Sequence, residues 1–355
     1  MTATKIQNET GNDMAAADIP QTAFEIRLAR HLKGELTGDN FDLVTVEVPA
    51  PGDGEVLVRT DYLGLSVAYL EMMRADSTLP IPPWQVGQRI GGGAVGTVVT
   101  SNGPDLAVGD LVQTMAGWCE YSAGPTTQYR KLNPTAFPSP VYHLSQGPTA
   151  YYGMAEIAKV GEGDVVFVSG AAGGVGSLAG QIARCRGAAK VIGSAGTNEK
   201  AAYLVNELGF DAAFNYRDGS AIDHLRELAP EGITVFFDNV GGMLFDAAIE
   251  AAAPRARVAV CGSLSTQIGD HAERFPQPDL TAANAKHIDV LPFSTYHTPD
   301  QIAAWTEHFS RWLADGRFVF PHMVVDGGIR QAPQALGSLL AGEYRGNVSV
   351  RIMAD

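Results

Sequence analysis

A glycine-rich turn constrains the fold of this chain more than any other feature. The apolar run Val165–Val168 leads into residues 170–176 (GAAGGVG), and a helical pattern over 175–186 follows. Glycines there let the backbone approach a pyrophosphate, and the helix start offers free N–H groups and the positive end of its dipole. With a strand before it and a helix after it, the turn predicts a dinucleotide site. A purely structural turn is the alternative.

Strand-like and helical segments alternate from about residue 147 onward. Apolar runs typical of buried strands recur at 190–194, 235–238, 257–261 and 288–291, and helical patterns cover 199–208 and 302–313. Such alternation is typical of βαβ units and a parallel sheet. We therefore expect an α/β protein whose residues 141–317 form a doubly wound Rossmann domain.

The two ends of the chain have a different character. Residues 23–140 contain short runs rich in β-branched residues, separated by clusters of Gly and Pro. Similar β-like runs return at 322–325 and 348–352, after Gly316. These patterns predict a small barrel or sandwich built from residues 23–140 together with 318–355.

Charge and cysteine content exclude some classes of protein. The 355 residues include 39 acidic and 25 basic side chains, for a formal net charge of −14, which disfavours nucleic acid and an anionic membrane as partners. No apolar run reaches the ~18 residues of a membrane span. The three cysteines are odd in number and far apart, which favours a reducing compartment, the cytoplasm.

The first residues are polar and rich in alanine, and they lack the charged start and apolar block of a secretory signal. We expect residues 1–22 to form a disordered tail. The alternative is that they precede the natural start of the protein.

The second strand of the nucleotide domain decides between NAD and NADP. NAD enzymes usually place Asp or Glu at its end to bind the ribose 2′-hydroxyl. Here residues 191–197 contain no carboxylate, and Lys200 follows Glu199. A lysine there suits a 2′-phosphate as a point charge, although a solvated surface lysine is the alternative.

The residues that bind catalytic zinc in proteins of this architecture are missing. A His-Glu pair in the glycine-rich strand region would mark such a site, but residues 85–100 contain neither His nor Glu. No Cys precedes Cys119, and no Cys-x-x-Cys occurs in the chain. We therefore expect no metal.

Several blocks of sequence resemble one family of reductases. The chain is similar to the zinc-free medium-chain dehydrogenases/reductases, specifically to prostaglandin reductase / leukotriene B4 12-hydroxydehydrogenase and to the alkenal and curcumin double-bond reductases. The blocks keep the family's order and spacing over about residues 147–265: 148–153 (PTAYYG), 173–176 (GGVG), 196–200 (GTNEK), 209–216 (GFDAAFNY), 237–242 (FDNVGG) and 261–265 (CGSLS).

The resemblance implies a Rossmann domain with NADP bound, a GroES-like barrel as substrate domain, and a homodimer. It implies that Lys200 and Tyr216 flank the 2′-phosphate, that Asn239 contacts the cofactor and that residues 261–267 follow the nicotinamide. The cofactor-binding residues expected are Gly173, Gly174, Val175, Gly176, Thr197, Lys200, Tyr216, Asn239, Cys261, Gly262, Ser263, Leu264, Ser265, Phe293, Ser294 and Tyr344.

Three departures from the family pattern lie on or near the substrate side. Gln267 stands where relatives often have Tyr, and residues 65–72 lack the family's Asp-Pro-Tyr-Met-Arg, so that Tyr69 is displaced by one position. Tyr344 occupies the place of a cofactor-contacting Asn. These departures bear on the identity of the substrate more than on the cofactor.

The activity implied is NADPH-dependent reduction of the C=C bond of an α,β-unsaturated ketone or aldehyde. Without zinc, hydroxyl groups or the cofactor's own ribose must polarise the carbonyl, and Tyr69 and Tyr152 are the candidate catalytic residues. Tyr152 is also a candidate for simple helix packing. The alternatives are a ketone or quinone reductase on the same scaffold and a non-catalytic NADPH-binding protein.

Overall fold

A computed structural model of the protein describes residues 19–77, 82–262 and 280–352. Of the expected tail, residues 1–22, only 1–18 lie outside these ranges, and Thr22 already begins a strand. The expected site residues Ser263, Leu264 and Ser265 and the substrate-side Gln267 also lie outside the described ranges.

The strands lie in two stretches of the chain that flank a run of alternating strands and helices. They are β1 (Thr22–Leu28), β2 (Phe41–Glu47), β3 (Glu55–Leu65), β4 (Ala94–Ser101), β5 (Leu111–Thr114), β6 (Tyr121–Pro125), β7 (Arg130–Lys131), β8 (Val165–Val168), β9 (Lys190–Ala195), β10 (Ala212–Asn215), β11 (Ile233–Asp238), β12 (Ala252–Val260), β13 (Asp289–Pro292), β14 (His322–Val325) and β15 (Asn347–Arg351).

The helices lie mostly between the strands of the central run. They are α1 (Tyr69–Met72), α2 (Gly147–Tyr152), α3 (Gly176–Cys185), α4 (Asn198–Asn206), α5 (Ala221–Leu228), α6 (Met243–Ala251), α7 (Thr281–Ala285), α8 (Pro299–Ala314) and α9 (Ala332–Leu340). A π-helical turn, Gly153–Ile157, continues α2, and 3₁₀ turns occur at Gly38–Asn40, Thr126–Gln128, Pro140–Leu144 and Ile329–Gln331.

The central run forms a parallel sheet in the order β10-β9-β8-β11-β12-β13. Its middle strands are buried on both faces, and Phe167 of β8 stacks on Phe214 and Phe236 at centroid distances of 5.8 and 5.0 Å. From β8 the chain adds β9 and β10 toward one edge of the sheet. It then returns beside β8 and adds β11, β12 and β13 toward the other edge. Ligands of doubly wound sheets bind in the crevice at such a switch point.

A second sheet takes strands from both ends of the chain. Its order is β14-β15-β3-β4-β5-β7, with β6 also paired to β3, while β1 and β2 form a separate antiparallel pair. The long β3 lies at the centre and packs, with Trp118 and Leu336, in a core distinct from that of the parallel sheet. The predicted fold class, a Rossmann sheet with a second sheet domain, is confirmed. The domain bounds at 140/141 and 317/318 stay a proposal, supported by the sheet to which each strand belongs.

The structure adds one helix that the sequence pattern did not indicate. The two β-like runs expected after Gly316 are strands β14 and β15, and helix α9 lies between them. Ala332, Ala335 and Leu336 of α9 are buried at helical spacing, and Pro333 stands in its first turn. These are ordinary signals of a short amphipathic helix.

Candidate functional site

The predicted phosphate turn lies directly after β8 and ends in helix α3. Gly170 has a φ of 57°, in the left-handed region that favours glycine. A Cβ on Gly176, the first residue of α3, would come within 2.4 Å of the Gly170 carbonyl oxygen. Val175 precedes it at the helix cap. The turn therefore packs backbone against backbone at a helix N-terminus, which is the geometry of a pyrophosphate site.

The phosphate turn also contacts the second domain. Gly173 forms a parallel bridge with Gly346, whose N–H donates to the Ala172 carbonyl at 2.9 Å. The side chain of the buried Asn347 donates to the Gly174 carbonyl at 3.2 Å. The start of β15 thus lies against the turn, which opens onto the boundary between the two sheets.

Three predicted residues gather at the end of β9. Thr197 caps helix α4, because its hydroxyl accepts a hydrogen bond from the Lys200 N–H at 3.2 Å. A Cβ on Gly196 would lie 3.4 Å from the Tyr216 hydroxyl. Lys200 donates through its ammonium to the Gly342 carbonyl. Thr197, Lys200 and Tyr216 therefore line one end of the crevice, where the adenosine part of a dinucleotide binds in this fold.

Two arginines that the sequence pattern did not indicate also lie at this end of the crevice. The Arg217 guanidinium lies 5.5 Å from the centre of the Tyr216 ring, and that of Arg345 lies 4.7 Å from the Tyr203 ring. Burial, and then the positive charges of Arg345 and Arg217, lowers the pKa of the Lys200 ammonium. This concentration of cations in an acidic protein suits an anion such as a 2′-phosphate.

The end of β11 is held by hydrogen bonds among polar groups. The buried Asp238 carboxylate accepts from the Ser169 hydroxyl at 2.8 Å and from the Val240 and Gly241 N–H groups, both at 3.0 Å. Burial raises the pKa of Asp238, although these hydrogen bonds act in the opposite direction. Asn239 donates its backbone N–H to the Ser169 hydroxyl at 2.9 Å and its side-chain amide to the Ser169 carbonyl at 2.8 Å. The predicted Asn239 is therefore fixed beside the phosphate turn.

The predicted nicotinamide side lies at the ends of β12 and β13. The N–H groups of Cys261 and Gly262 both donate to the Asp238 carbonyl, at 2.8 and 3.1 Å. Burial raises the pKa of the Cys261 thiol to about 12, so the thiol is protonated at neutral pH. Phe293 is half-buried against Phe237, whereas Ser294 is exposed and accepts from the Tyr296 N–H at 3.1 Å.

The two candidate catalytic tyrosines have different surroundings. Tyr152 lies beside Phe293 and His297, with ring centroids 6.0 and 5.8 Å away. Tyr69 packs edge-on against Trp84 and Trp118 and donates its hydroxyl to the Gly64 carbonyl at 2.9 Å.

The Tyr69 side chain also fills the space above Gly92, where any other residue would place a Cβ. A Cβ on Gly92 would overlap the Tyr69 hydroxyl, so the glycine backbone there admits the phenol. Burial raises the pKa of Tyr69 above its ordinary value. The proton of this phenol is therefore strongly held and is already shared with a carbonyl oxygen.

The half-buried side chain of Tyr344 packs against the core of the second sheet, the cluster that includes Leu336. Its neighbour Arg345 instead reaches the adenosine end, where it pairs with Glu199 at 2.8 Å.

Gln146 is a further residue in the crevice that the sequence analysis did not identify. It precedes helix α2, donates its backbone N–H to the Asn347 side chain at 2.9 Å and its side-chain amide to the Leu65 carbonyl at 3.3 Å. Leu65 ends β3 and Asn347 begins β15, so Gln146 attaches the segment before α2 to the second sheet. Only its position before the 148–153 block was visible in the sequence, and nothing in that position marked it.

The described ranges contain neither a cluster of metal ligands nor a membrane-spanning helix. No three His, Cys, Asp or Glu side chains of these ranges are placed to hold a metal ion. Every helix in the same ranges falls short of the length and apolar character that crossing a membrane requires.

Both halves of the chain match models of known protein families. Residues 25–132 match the family model described as the N-terminal domain of oxidoreductase, and residues 174–311 match the one described as zinc-binding dehydrogenase. The NADPH-dependent curcumin reductase of Escherichia coli is 32% identical over 337 residues, covering 92% of this chain and 96% of its own. This chain belongs to the medium-chain dehydrogenase/reductase family of oxidoreductases.

Two further relatives support this membership. Prostaglandin reductase 1 of Mus musculus is 33% identical over 334 residues, covering 91% of this chain and 97% of its own. The crystal structure of CurA from Vibrio vulnificus in complex with NADPH superimposes with a TM-score of 0.86 at 30% identity, covering 94% of this chain and 100% of that one. The family predicted from the sequence blocks is confirmed.

Proposed function

We propose that the protein reduces the C=C bond of α,β-unsaturated ketones or aldehydes with NADPH. The observation that carries the proposal is its likeness, over more than nine-tenths of its length, to reductases named for curcumin and prostaglandin. Curcumin contains C=C bonds conjugated to carbonyl groups. The crevice adds neutral hydrogen-bond donors, among them Tyr69 and Gln146, close to the boundary between the two sheets.

NADP is the cofactor. The predicted cofactor is confirmed by a relative named as NADPH-dependent and by a similar structure in complex with NADPH. The residues present fit the group, since the turn ends at the N-terminus of α3 and the charges of Arg345 and Arg217 act on the Lys200 ammonium. We propose that the turn at 170–176 holds the pyrophosphate and that Lys200, Tyr216, Arg217 and Arg345 surround the 2′-phosphate.

The proposed reaction is balanced by one hydride and one proton. When bound, NADPH supplies the hydride, which forms a C–H bond at the β-carbon as the cofactor becomes NADP⁺. The C=C π electrons then move toward the carbonyl oxygen as an enolate, and a proton reaches the α-carbon to give the saturated carbonyl compound. The protein stabilises the negative oxygen by hydrogen bonds in a site shielded from water.

The two candidate catalytic tyrosines can contribute to this reaction in different ways. Tyr152 lies at the nicotinamide side, next to the half-buried Phe293. Tyr69 already donates its proton to Gly64, and burial raises its pKa, so its more direct contribution is to shape the wall beside Gly92.

A substrate panel tests the proposed function. The protein is incubated with NADPH deuterated at the transferable position of C4 and with an enone, an enal, a simple ketone or a quinone, and products are identified by mass spectrometry and NMR. We expect the enone and enal to give saturated carbonyl compounds with deuterium on the β-carbon and no alcohol. Alcohol from the ketone or hydroquinone from the quinone, with the C=C substrates untouched, would establish the alternative reductases. Tight NADPH binding without turnover of any of these compounds would favour a non-catalytic protein.

We also propose that the protein is a homodimer. Strand β13 is the outer strand of the parallel sheet in the described ranges, and Tyr296, just beyond it, is 56% exposed. An unpaired strand edge is a ready template for pairing with a second copy. Light scattering at micromolar concentration should give the mass of two chains, and a monomer would contradict the proposal. The cytoplasmic location stays a prediction from the cysteine content.

A further inference from the structure

Gln146 lies where the two domains and the phosphate turn meet. Its side-chain amide donates to the carbonyl of Leu65, the last residue of β3, at 3.3 Å. Its backbone N–H donates to the side chain of Asn347, the first residue of β15, at 2.9 Å. Asn347 in turn donates to the Gly174 carbonyl of the phosphate turn. Gln146 is therefore held at a defined place between the cofactor cradle and the second sheet.

A glycine makes room for the Gln146 side chain. A Cβ on Gly174 would lie 2.8 Å from Oε1, 2.9 Å from Cδ and 3.1 Å from Nε2 of Gln146. All three atoms of the amide are nearly equidistant from that point, so the amide lies flat over the Gly174 backbone. This is the same turn that receives the pyrophosphate, and the amide is consequently adjacent to the bound cofactor.

The amide has hydrogen-bonding capacity left over. Because a carbonyl oxygen only accepts, the group that faces Leu65 is the NH₂, and one of its two N–H bonds is used there. Among the described residues the second N–H bond has no acceptor, and Gln146 is only partly buried. A neutral N–H donor therefore remains available at the edge of the crevice.

We infer that this second N–H of Gln146 donates to the carbonyl oxygen of the substrate and stabilises the enolate that forms as the hydride arrives. The inference rests on the proposed function. Tyr69, the other donor on this wall, has a single proton, and it is already donated to Gly64. Gln146 has a donor to spare, is anchored at both its backbone and its amide, and keeps the same charge at every pH of interest. Such a preorganised donor is what a developing oxyanion needs.

The Gln146→Met variant tests the inference, because methionine has similar length and no N–H donor. The loss of one oxyanion donor typically lowers kcat by about 10²–10³-fold, and we expect a loss in that range for reduction of an enone. The Kd for NADPH, measured by fluorescence without substrate, and the melting temperature should match those of the wild type. The primary isotope effect with C4-deuterated NADPH should increase, because hydride transfer becomes slower relative to the other steps. Gln334→Met, an exposed change on α9, is the matched control and should leave all four quantities unchanged.

Other results would overturn the inference. An unchanged kcat would show that the amide does not contact the reacting oxygen. A weaker Kd for NADPH with an unchanged kcat at saturation would show that Gln146 only clamps the domains. Gln146→Leu repeats the test if the methionine variant does not fold, and failure of both to fold would make the residue structural.

The wild type separates this inference from the proposed function. If the wild type reduces a ketone or quinone instead of an enone, the proposed function fails, and the ratio of wild-type to Gln146→Met kcat on that carbonyl still decides the role of Gln146. If the wild type turns over no carbonyl compound, both fail. If the wild type reduces enones and the variant does so equally well, only the inference fails.

Discussion

The ammonium group of Lys200 donates a hydrogen bond to the backbone carbonyl of Gly342, 142 residues further along the chain. Lys200 lies in the first turn of α4, whereas Gly342 lies between α9 and β15. The same loop carries Arg345, which pairs with Glu199. The loop between α9 and β15 therefore holds two of the cations proposed to bind the 2′-phosphate, and we expect cofactor preference to depend on both domains.

Replacing Lys200 by Ala should lower the affinity for NADPH but not for NADH. A hydrogen bond that involves a charged group contributes about 1.5–3 kcal/mol. At about 1.4 kcal/mol per tenfold, the Kd for NADPH should rise by roughly ten- to a hundredfold. NADH lacks the 2′-phosphate, so its Kd should change little. Both values can be measured by quenching of protein fluorescence.

The exposed Lys33→Ala is the control for this prediction, since it removes one positive charge between β1 and β2 of the second domain. Its Kd values should equal those of the wild type. An equal loss of affinity for NADH and NADPH in the Lys200 variant would mean that the hydrogen bond to Gly342 is purely structural.

The parts of the site made by contiguous sequence were predictable, and the parts made by distant segments were not. The turn at 170–176 carries its conformation in its own glycines, and Thr197 with Lys200 forms a local helix cap. These features depend on residues close together in the chain, so a sequence pattern can express them.

Arg345 and Asn347 show what the sequence could not reveal. Both reach the Rossmann domain only because β15 pairs with β3 and brings the C-terminal loop against the phosphate turn. That arrangement depends on strand order and on the packing of α9, and neither leaves a periodic signal near residue 345. The family resemblance predicts a cofactor contact for Tyr344. In the structure its side chain packs against the core of the second sheet, and the guanidinium of its neighbour Arg345 lies over the Tyr203 ring.

A bulky residue at position 173, in place of Gly173, should weaken the binding of both NADH and NADPH without unfolding the protein. A Cβ there would meet only the Gly170 carbonyl oxygen, at the ordinary contact distance of 3.4 Å. Gly173→Val should therefore keep a near-native melting temperature. Its side chain blocks approach to the pyrophosphate, which NADH and NADPH share, so both Kd values should rise by roughly tenfold or more, about 1.4 kcal/mol.

Gly176→Ala provides the contrast to this variant. Its Cβ would come within 2.4 Å of the Gly170 carbonyl oxygen and 2.8 Å of the Ala171 Cα, and both are backbone atoms. We expect a lower melting temperature and a loss of soluble protein. If Gly173→Val binds both cofactors normally, the turn does not hold the pyrophosphate.

Removal of metal should leave activity unchanged. The glycine-rich segment before β4 has no His or Glu, and Tyr69 occupies the space over Gly92. Dialysis against a chelator followed by NADPH-oxidation assays should show full activity, and elemental analysis should find no stoichiometric zinc. Zinc that is retained in proportion to activity would make the protein a metalloenzyme and would overturn the zinc-free assignment.

Stability should fall in mild acid because of His143. Burial, followed by the positive charge of Arg130, lowers the pKa of His143 to about 4, and its ring packs edge-on against Phe137 at 4.9 Å. In the unfolded chain the pKa is near 6.5, so between these values the unfolded state binds a proton that the folded state does not. The stability due to the neutral imidazole is therefore present above pH 6.5 and is lost as the pH falls toward 4.

The His143→Gln variant isolates this effect from that of the carboxylates, which also titrate in acid. Urea unfolding of wild type and variant at a series of pH values between 7.5 and 4.5 gives the free energy of unfolding of each. We expect the wild type to lose more stability than the variant across this range, because glutamine cannot take up a proton. Parallel pH profiles for the two proteins would show that the imidazole titrates equally in both states and that its burial does not control acid sensitivity.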